Sequence, residues 1–235
     1  METESKKKES FIGRFWKGWI KPLATAIIVV VTFRSAVADW NDVPSQSMEP
    51  TILVGDRIFV NKLAYDLKVP FTTVHLAQWG HPVRGDVVVL WSPHDGQRLV
   101  KRVVGVPGDL LEVRGQRLMI NGQLAHYGPL PEKMAESLDL TSLPAGAVTA
   151  ETLSGRTHPV MSMSTGGQGA NTAPVRIPEG RYFVMGDCRD NSFDSRFFGL
   201  VDRDRIVGRA TAVVLSVDRD RHYRPRWGRF FTRLP

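Results

Sequence analysis

The chain has 235 residues, 42% of them hydrophobic and 23% charged, enough length and apolar content to bury a core, which excludes wholesale disorder. Its 31 Lys and Arg outnumber 24 Asp and Glu, and the net charge of +7 points to an anionic partner, a nucleic acid or a lipid surface. The single cysteine, Cys188, excludes an intrachain disulfide framework.

Residues 1–21 carry Lys6, Lys7, Lys8, Arg14, Lys17 and Lys21 against Glu2, Glu4 and Glu9. "PLATAIIVVVTF" at 22–33 follows, uncharged and rich in aliphatic side chains. As a helix it reaches about 18 Å, short of the ~30 Å hydrocarbon core of a bilayer. A full span extends to Ala38 with Arg34 snorkelling to the outer interface. Trp16, Trp19 and Trp40 stand where interfacial aromatics are expected. "AVA" at 36–38 has the small-x-small shape of a signal-peptide cleavage site. The charge of Arg34 beside that bond favours a retained anchor instead, with its basic end inside and residues 39–235 outside. On either reading the body of the chain is exported.

Two serines, Ser45 and Ser47, come next in "VPSQSMEPTI" at 43–52, framed by Pro44 and Pro50, and the first histidine is not met until His75. Strands follow. "RIFVNKL" (57–63), "DVVVLW" (86–91), "RLVKRVVGV" (98–106), "LLEVRGQRLMINGQLAHY" (110–127), "RYFVMG" (181–186) and "RIVGRATAVVLSV" (205–217) are rich in Val, Ile, Leu and aromatics. Turn signals at "VGD", "RGD", "PGD" and "NG" separate them. The tripeptide at 84–86 is read as a turn opening a strand, not as an adhesion motif. Residues 128–178 are polar and loop-forming in "GPLP", "LPAG" and "STGGQGANTAP". They hold one strand pair near "ETLSGRTHPVMSM" (151–163), and "PEKMAESL" (131–138) has the pattern of a short helix. The fold class expected is all-β. It is an antiparallel sheet domain split into 39–127 and 179–217, with an inserted small β cap at 128–178, one N-terminal transmembrane helix at 22–38 and a basic aromatic tail at 218–235.

If one of the serines does chemistry, something must take its proton. The six histidines are scattered beside loop signals, with no metal-ligand spacing, and the "GxSxG" elbow is absent. Spacing alone leaves a serine–histidine–aspartate triad open. A lysine is the better base. In "RLVKRVV" strand alternation puts Leu99, Lys101 and Val103 on one face and Arg102 on the other. A lysine flanked by Leu and Val is desolvated, and burial lowers its pKa. Neutrality near pH 7 costs roughly 4 kcal/mol.

"PSQSMEPTI", "RGDVVVL", "KRVVGVPGD" and "GDCRDNSFDSRFFGLV", in this order behind an anchor, resemble the boxes of the bacterial type I signal peptidases (leader peptidases). The match runs to about Arg209; the 128–178 insert and the tail carry no clear signal. The resemblance implies Ser47 as nucleophile and Lys101 as general base. Ser45 would lend its hydroxyl to an oxyanion hole beside the Ser47 amide, and Ser192 would hydrogen-bond the lysine amine and orient it. Asp187 would pair with Arg102, and Asp194 with Arg196 or Arg189, as structural support. Gln46, Ile52 and Cys188 depart from the family's common glycine, leucine and asparagine, and none of them removes a reacting group.

The implied activity is a membrane-bound serine endopeptidase with a Ser-Lys dyad. It would cleave N-terminal signal peptides from exported precursors after Ala-x-Ala sites, without cofactor or metal. Its partners would be signal peptides and a membrane lipid surface, not nucleic acid. The place implied is the cytoplasmic (inner) membrane, single-pass, with the catalytic domain on the outer side. The alternatives are a related Ser-Lys maturation protease with a narrow substrate and a non-enzymatic exported binding module. In the tail, arginines interleave with Tyr223, Trp227, Phe230 and Phe231, a mixture suited to lipid headgroups.

Overall fold

The computed structural model describes residues 16–69, 72, 74–138, 143, 146–163 and 171–235. The basic cluster at 6–8, residues 144–145 of "LPAG" and the 164–170 part of "STGGQGANTAP" lie outside them. One helix, α1 (Lys21–Ala36), follows a π-helical turn at Trp16–Ile20. Pro22 is tolerated because it sits in the first turn, where its missing N–H would have had no partner. The stretch Gly18–Ala36, 19 residues, is long and apolar enough to cross a membrane, roughly 28 Å at 1.5 Å per residue. Leu23, Ile27, Ile28, Val30 and Phe33 are exposed.

The end of α1 is fixed by charge. Lys62 Nζ donates to the carbonyls of Arg34 (2.8 Å) and Ser35 (3.2 Å), two of the acceptors a helix C-terminus leaves open. The Asp39 carboxylate accepts from Arg34 Nη2 at 2.6 Å, with Lys62 and Arg98 close by. The chain passes through Val37 straight into the first strand.

The body is antiparallel sheet, as the alternating apolar runs imply. The main sheet holds β1 (Ala38–Asp42), β2 (Asp56–Asn61), β5 (Val87–Trp91), β6 (Arg98–Gly105), β14 (Arg181–Met185), β15 (Val201–Asp202) and β16 (Ile206–Asp218). Their order is β1-β2-β16-β5-β6-β14-β15. The short β17 (Arg224–Pro225) and β18 (Thr232–Arg233) also pair with β16. Register shifts along β16 bend this 13-residue strand, so that it serves β2 and β5 in turn. In β5, Val87 and Val89 join one buried cluster with Met48, Ile52, Ile58 and Val60. Val88 and Leu90 join another with Val103, Tyr182, Val184 and Ile206. The two-residue period thus buries both faces of the central strands.

Around this sheet lie a hairpin of β3 (Asp66–Lys68) with β4 (His75–Gln78) and two smaller sheets. One orders β13 (Thr172–Arg176), β7 (Leu110–Arg114), β8 (Arg117–Ile120) and β9 (Gln123–Leu124). The other orders β10 (His126–Gly128), β11 (Gly146–Leu153) and β12 (Arg156–Met163). The short helix α2 (Glu132–Ser137) falls within the stretch read as helical, and α3 (Ser195–Phe198) lies near the end of the last motif. The β11–β12 turn places Ser154 at φ 50° and Gly155 at φ 79°, the left-handed pair a tight two-residue hairpin needs.

Candidate active site

Ser47 sits in a single 3-10 turn, Gln46–Met48. The next residues pin that turn: Met48 (1% exposed) and Ile52 (0%) enter the core, so the backbone carrying the hydroxyl cannot drift. Lys101 arrives from β6, paired through β5 with Val88 and flanked by Leu99 and Val103. Its Nζ stands 2.7 Å from Ser47 Oγ, and the side chain is 2% exposed. Burial pushes the ammonium pKa down to about 8; Asp194 and Asp187 act in the opposite direction. Ser45, exposed and extended, brings its Oγ to 3.4 Å from Ser47 Oγ.

Gly186 closes the other side. A Cβ here would lie 2.3 Å from the Ser47 carbonyl oxygen and 2.4 Å from Ser192 Oγ, so only glycine lets the three segments meet. The Gly186 N–H donates to Asp194 Oδ2 at 3.0 Å, and the Cys188 N–H to the Ser47 carbonyl at 3.2 Å. Ser192 departs from expectation. Its buried hydroxyl has no hydrogen bond to Lys101 and lacks any partner of good geometry. It packs against Gly186 and beside the Asp194 carboxylate, while Lys101 directs its amine at Ser47.

Three buried ion pairs brace this arrangement. Arg102 binds Asp187 through two bonds, Nε to Oδ1 at 2.8 Å and Nη2 to Oδ2 at 2.7 Å, with both side chains 1% exposed. Burial raises the Asp187 carboxyl pKa, but Arg102 outweighs it and holds the group below the carboxylate range. Asp194 takes Arg196 in the same bidentate manner, at 2.8 Å twice, and its carboxyl is likewise held low against burial. Arg189 does not reach Asp194. It binds Glu151 of β11, which also accepts from Tyr127 and lies 3.1 Å from His158 Nε2. Burial would raise the Glu151 carboxyl, yet Arg189 and His158 keep it far below its usual range.

Sequence reasoning therefore missed Glu151, Thr51, Gly186 and His158. Thr51 Oγ1 donates to Asp187, and its place one residue after Pro50 gives no hint of that. His158 is not a solvated loop histidine but a buried one on β12, its pKa lowered by burial and then by Arg102. The insert is not merely a cap. The Met161 N–H donates to the Asp187 carbonyl and the Arg189 N–H to the Met161 carbonyl, so β12 is stitched to the loop behind Lys101. Among the described residues no group of three or more His, Cys, Asp and Glu is arranged to hold a metal ion, and no hydrogen bond joins a histidine to Ser47. The Cys188 thiol is buried, with its pKa raised to about 11, first by burial.

A family model described as signal peptidase, peptidase S26, matches residues 16–215, which include every group just described. The chain belongs to this family. Signal peptidase I of Pseudomonas fluorescens is 33% identical over 228 residues, covering 91% of this chain and 76% of the relative. Signal peptidase I P of Bacillus subtilis subsp. natto is 33% identical over 222 residues, covering 94% and 98%. The crystal structure of a signal peptidase I from Enterococcus faecalis aligns with 56% of this chain and 97% of its own at 28% identity, with a TM-score of 0.34. A member of the signal peptidase family is a peptidase, and the mostly antiparallel body behind one apolar helix suits that membership.

Proposed function

We propose that this peptidase is membrane-anchored and removes signal peptides from exported precursors with a dyad of Ser47 and Lys101. One observation carries the reading: an amine with 2% exposure and a pKa lowered to about 8 stands 2.7 Å from a serine hydroxyl. In its neutral form Lys101 takes the Ser47 proton as Oγ attacks the scissile carbonyl. The C–N bond breaks, the proton passes from Nζ to the leaving amine, and an acyl-enzyme remains. Water then attacks that ester with Lys101 again as base, releasing the signal peptide and restoring Ser47.

The Ser47 N–H and the Ser45 hydroxyl would meet the developing oxyanion, donors worth ~3 kcal/mol each in such sites. Ser192, a free hydroxyl beside the dyad, would turn onto Lys101 when the amine is neutral. Arg102, Asp187, Arg189, Asp194 and Arg196 would hold the frame and take no part in proton transfer. β6 also offers a docking edge. β5 covers one side of 98–101, whereas β14 pairs only from Arg102 onward, so an extended substrate can add as a strand leading to Lys101. Small pockets along that strand would select the small-x-small pattern. With α1 as anchor, the sheet lies on the outer side of the cytoplasmic membrane.

The test assays the full-length Ser47→Ala and Lys101→Ala variants on a precursor with an Ala-x-Ala site. Each should lose at least about a thousandfold in kcat/KM while folding and sedimenting with membranes as the parent does. Full activity in Lys101→Ala, with loss on changing one of the histidines, would move the base elsewhere.

A further inference from the structure

A cavity of about 520 Å³ opens where the last turn of α1 meets the sheet, with neither Ser47 nor Lys101 in its lining. Ala36 forms one wall, and Lys62, Lys68 and Arg98 face it; among the described residues Asp204 is the one lining carboxylate, with Asp39 3.6 Å from Lys62 and 3.4 Å from Arg98. We propose that this cavity binds the phosphate of an anionic phospholipid headgroup in the outer leaflet, at the boundary where the anchor leaves the bilayer. The inference rests on the reading of Gly18–Ala36 as a membrane span.

Three observations carry it. The first is the unbalanced charge: among the described residues Lys68 Nζ donates only to the Ile206 carbonyl (2.8 Å), and Arg98 uses only Nη1, toward Asn41 and Asp39. Lys68 and Arg98 thus retain N–H donors for an anion. The second is the cost of burying these charges. The ammonium pKa values of Lys62 and Lys68 are both lowered, by burial first, and the opposing pull of Asp39 on Lys62 and of Asp66 on Lys68 does not make it up. A phosphate placed between them would relieve that cost.

The third is the apolar rim, which points to a lipid as the source of the phosphate. Trp91, 39% exposed, lines the cavity under the Arg98 guanidinium, 4.9 Å from its ring centroid. Trp40, 51% exposed, lies under Arg34 at 4.6 Å. Thr72, from the segment joining β3 to β4, closes the opposite wall, and Val74 and Leu76 of this hairpin are 59% and 62% exposed. Tryptophans and exposed aliphatics around a basic hollow, at the end of an apolar helix, fit the headgroup layer.

The full chain is reconstituted in nanodiscs of phosphatidylcholine alone and of phosphatidylcholine with phosphatidylglycerol as the minor component, and its melting is followed. The proposal expects phosphatidylglycerol to raise Tm by roughly 3–6 °C. It expects Lys68→Gln/Arg98→Gln to lose that rise while melting like the parent in phosphatidylcholine. Arg181→Gln, which removes an exposed cation of β14 outside the cavity, should keep the rise. No rise in the parent, or an equal rise in the double variant, overturns the site. Inorganic phosphate giving the same rise in phosphatidylcholine discs overturns the lipid as its ligand. If the double variant does not fold, native mass spectrometry of the parent decides: phosphatidylglycerol adducts retained over phosphatidylcholine support the site, and no preference sinks it. A chain that fails to enter discs refutes the anchor instead. Short-chain phosphatidylglycerol, added to the soluble protein, then tests the pocket by the same Tm rise.

Discussion

A lysine amine almost without solvent, its pKa pushed down to about 8 from 10.5, is a liability to the fold at neutral pH. The unfolded chain keeps its proton up to about pH 10.5, whereas the folded one releases it near 8, so this group makes stability rise with pH between those values. Below pH 8 both states are protonated and the full burial penalty stands, on the order of 3 kcal/mol. Lys101→Met should therefore abolish peptidase activity and melt higher than the parent at pH 7. The gain should shrink as pH climbs from 8 toward 10.5, which urea unfolding at stepped pH would follow. A Met variant less stable than the parent at pH 7 would mean that the ammonium is well solvated or well paired. On the proposed dyad, the site gives up stability to obtain a base.

The elements that proved legible in the sequence are those whose pattern is local. "DVVVLW" and "RLVKRVV" read as strands because apolar side chains sit on both faces of each, and β5 and β6 are buried on both faces. What was not legible depends on partners far along the chain. Glu151 looks like a solvated charge in a loop-rich insert until Arg189, 38 positions away, is brought against it. Only the resemblance links Ser192 to Lys101, and its hydroxyl lies instead against Gly186 and beside the Asp194 carboxylate. In the tail, Tyr223, Trp227 and Phe231 remain exposed, whereas Arg229 reaches Asp56, 173 positions away, at 2.6 Å, and also donates to the Thr51 carbonyl at 3.0 Å, a pairing no local pattern announces. Arg229→Met leaves Asp56, 0% exposed, without its cation. It should cost about 3–5 kcal/mol in chemical unfolding, where a solvated tail would show no change.

At the scale of the molecule, α1 and the sheet form one clamped unit. Lys62 caps the helix, Asp39 draws in Arg34, and Ala38 pairs with Asn61 at the sheet edge. The "AVA" stretch at 36–38 thus begins in helix and ends in a strand, the opposite of the free extended segment a protease needs. N-terminal sequencing of the membrane-bound chain should find no product beginning at Asp39. Such a product would show that the clamp opens. Anchor, clamp and open edge of β6 together would present Ser47 to a substrate held at the same membrane surface.

The most direct test follows the Lys101 amine itself. Lysine labelled with ¹³C at the ε position, assigned by comparison with Lys101→Arg, is titrated by NMR in the intact protein, alongside kcat/KM over the same pH range. The account predicts one ε-carbon with a midpoint near 8, tracked by the rise in kcat/KM. A midpoint at the ordinary lysine value near 10.5, with activity already full at pH 8, would contradict it.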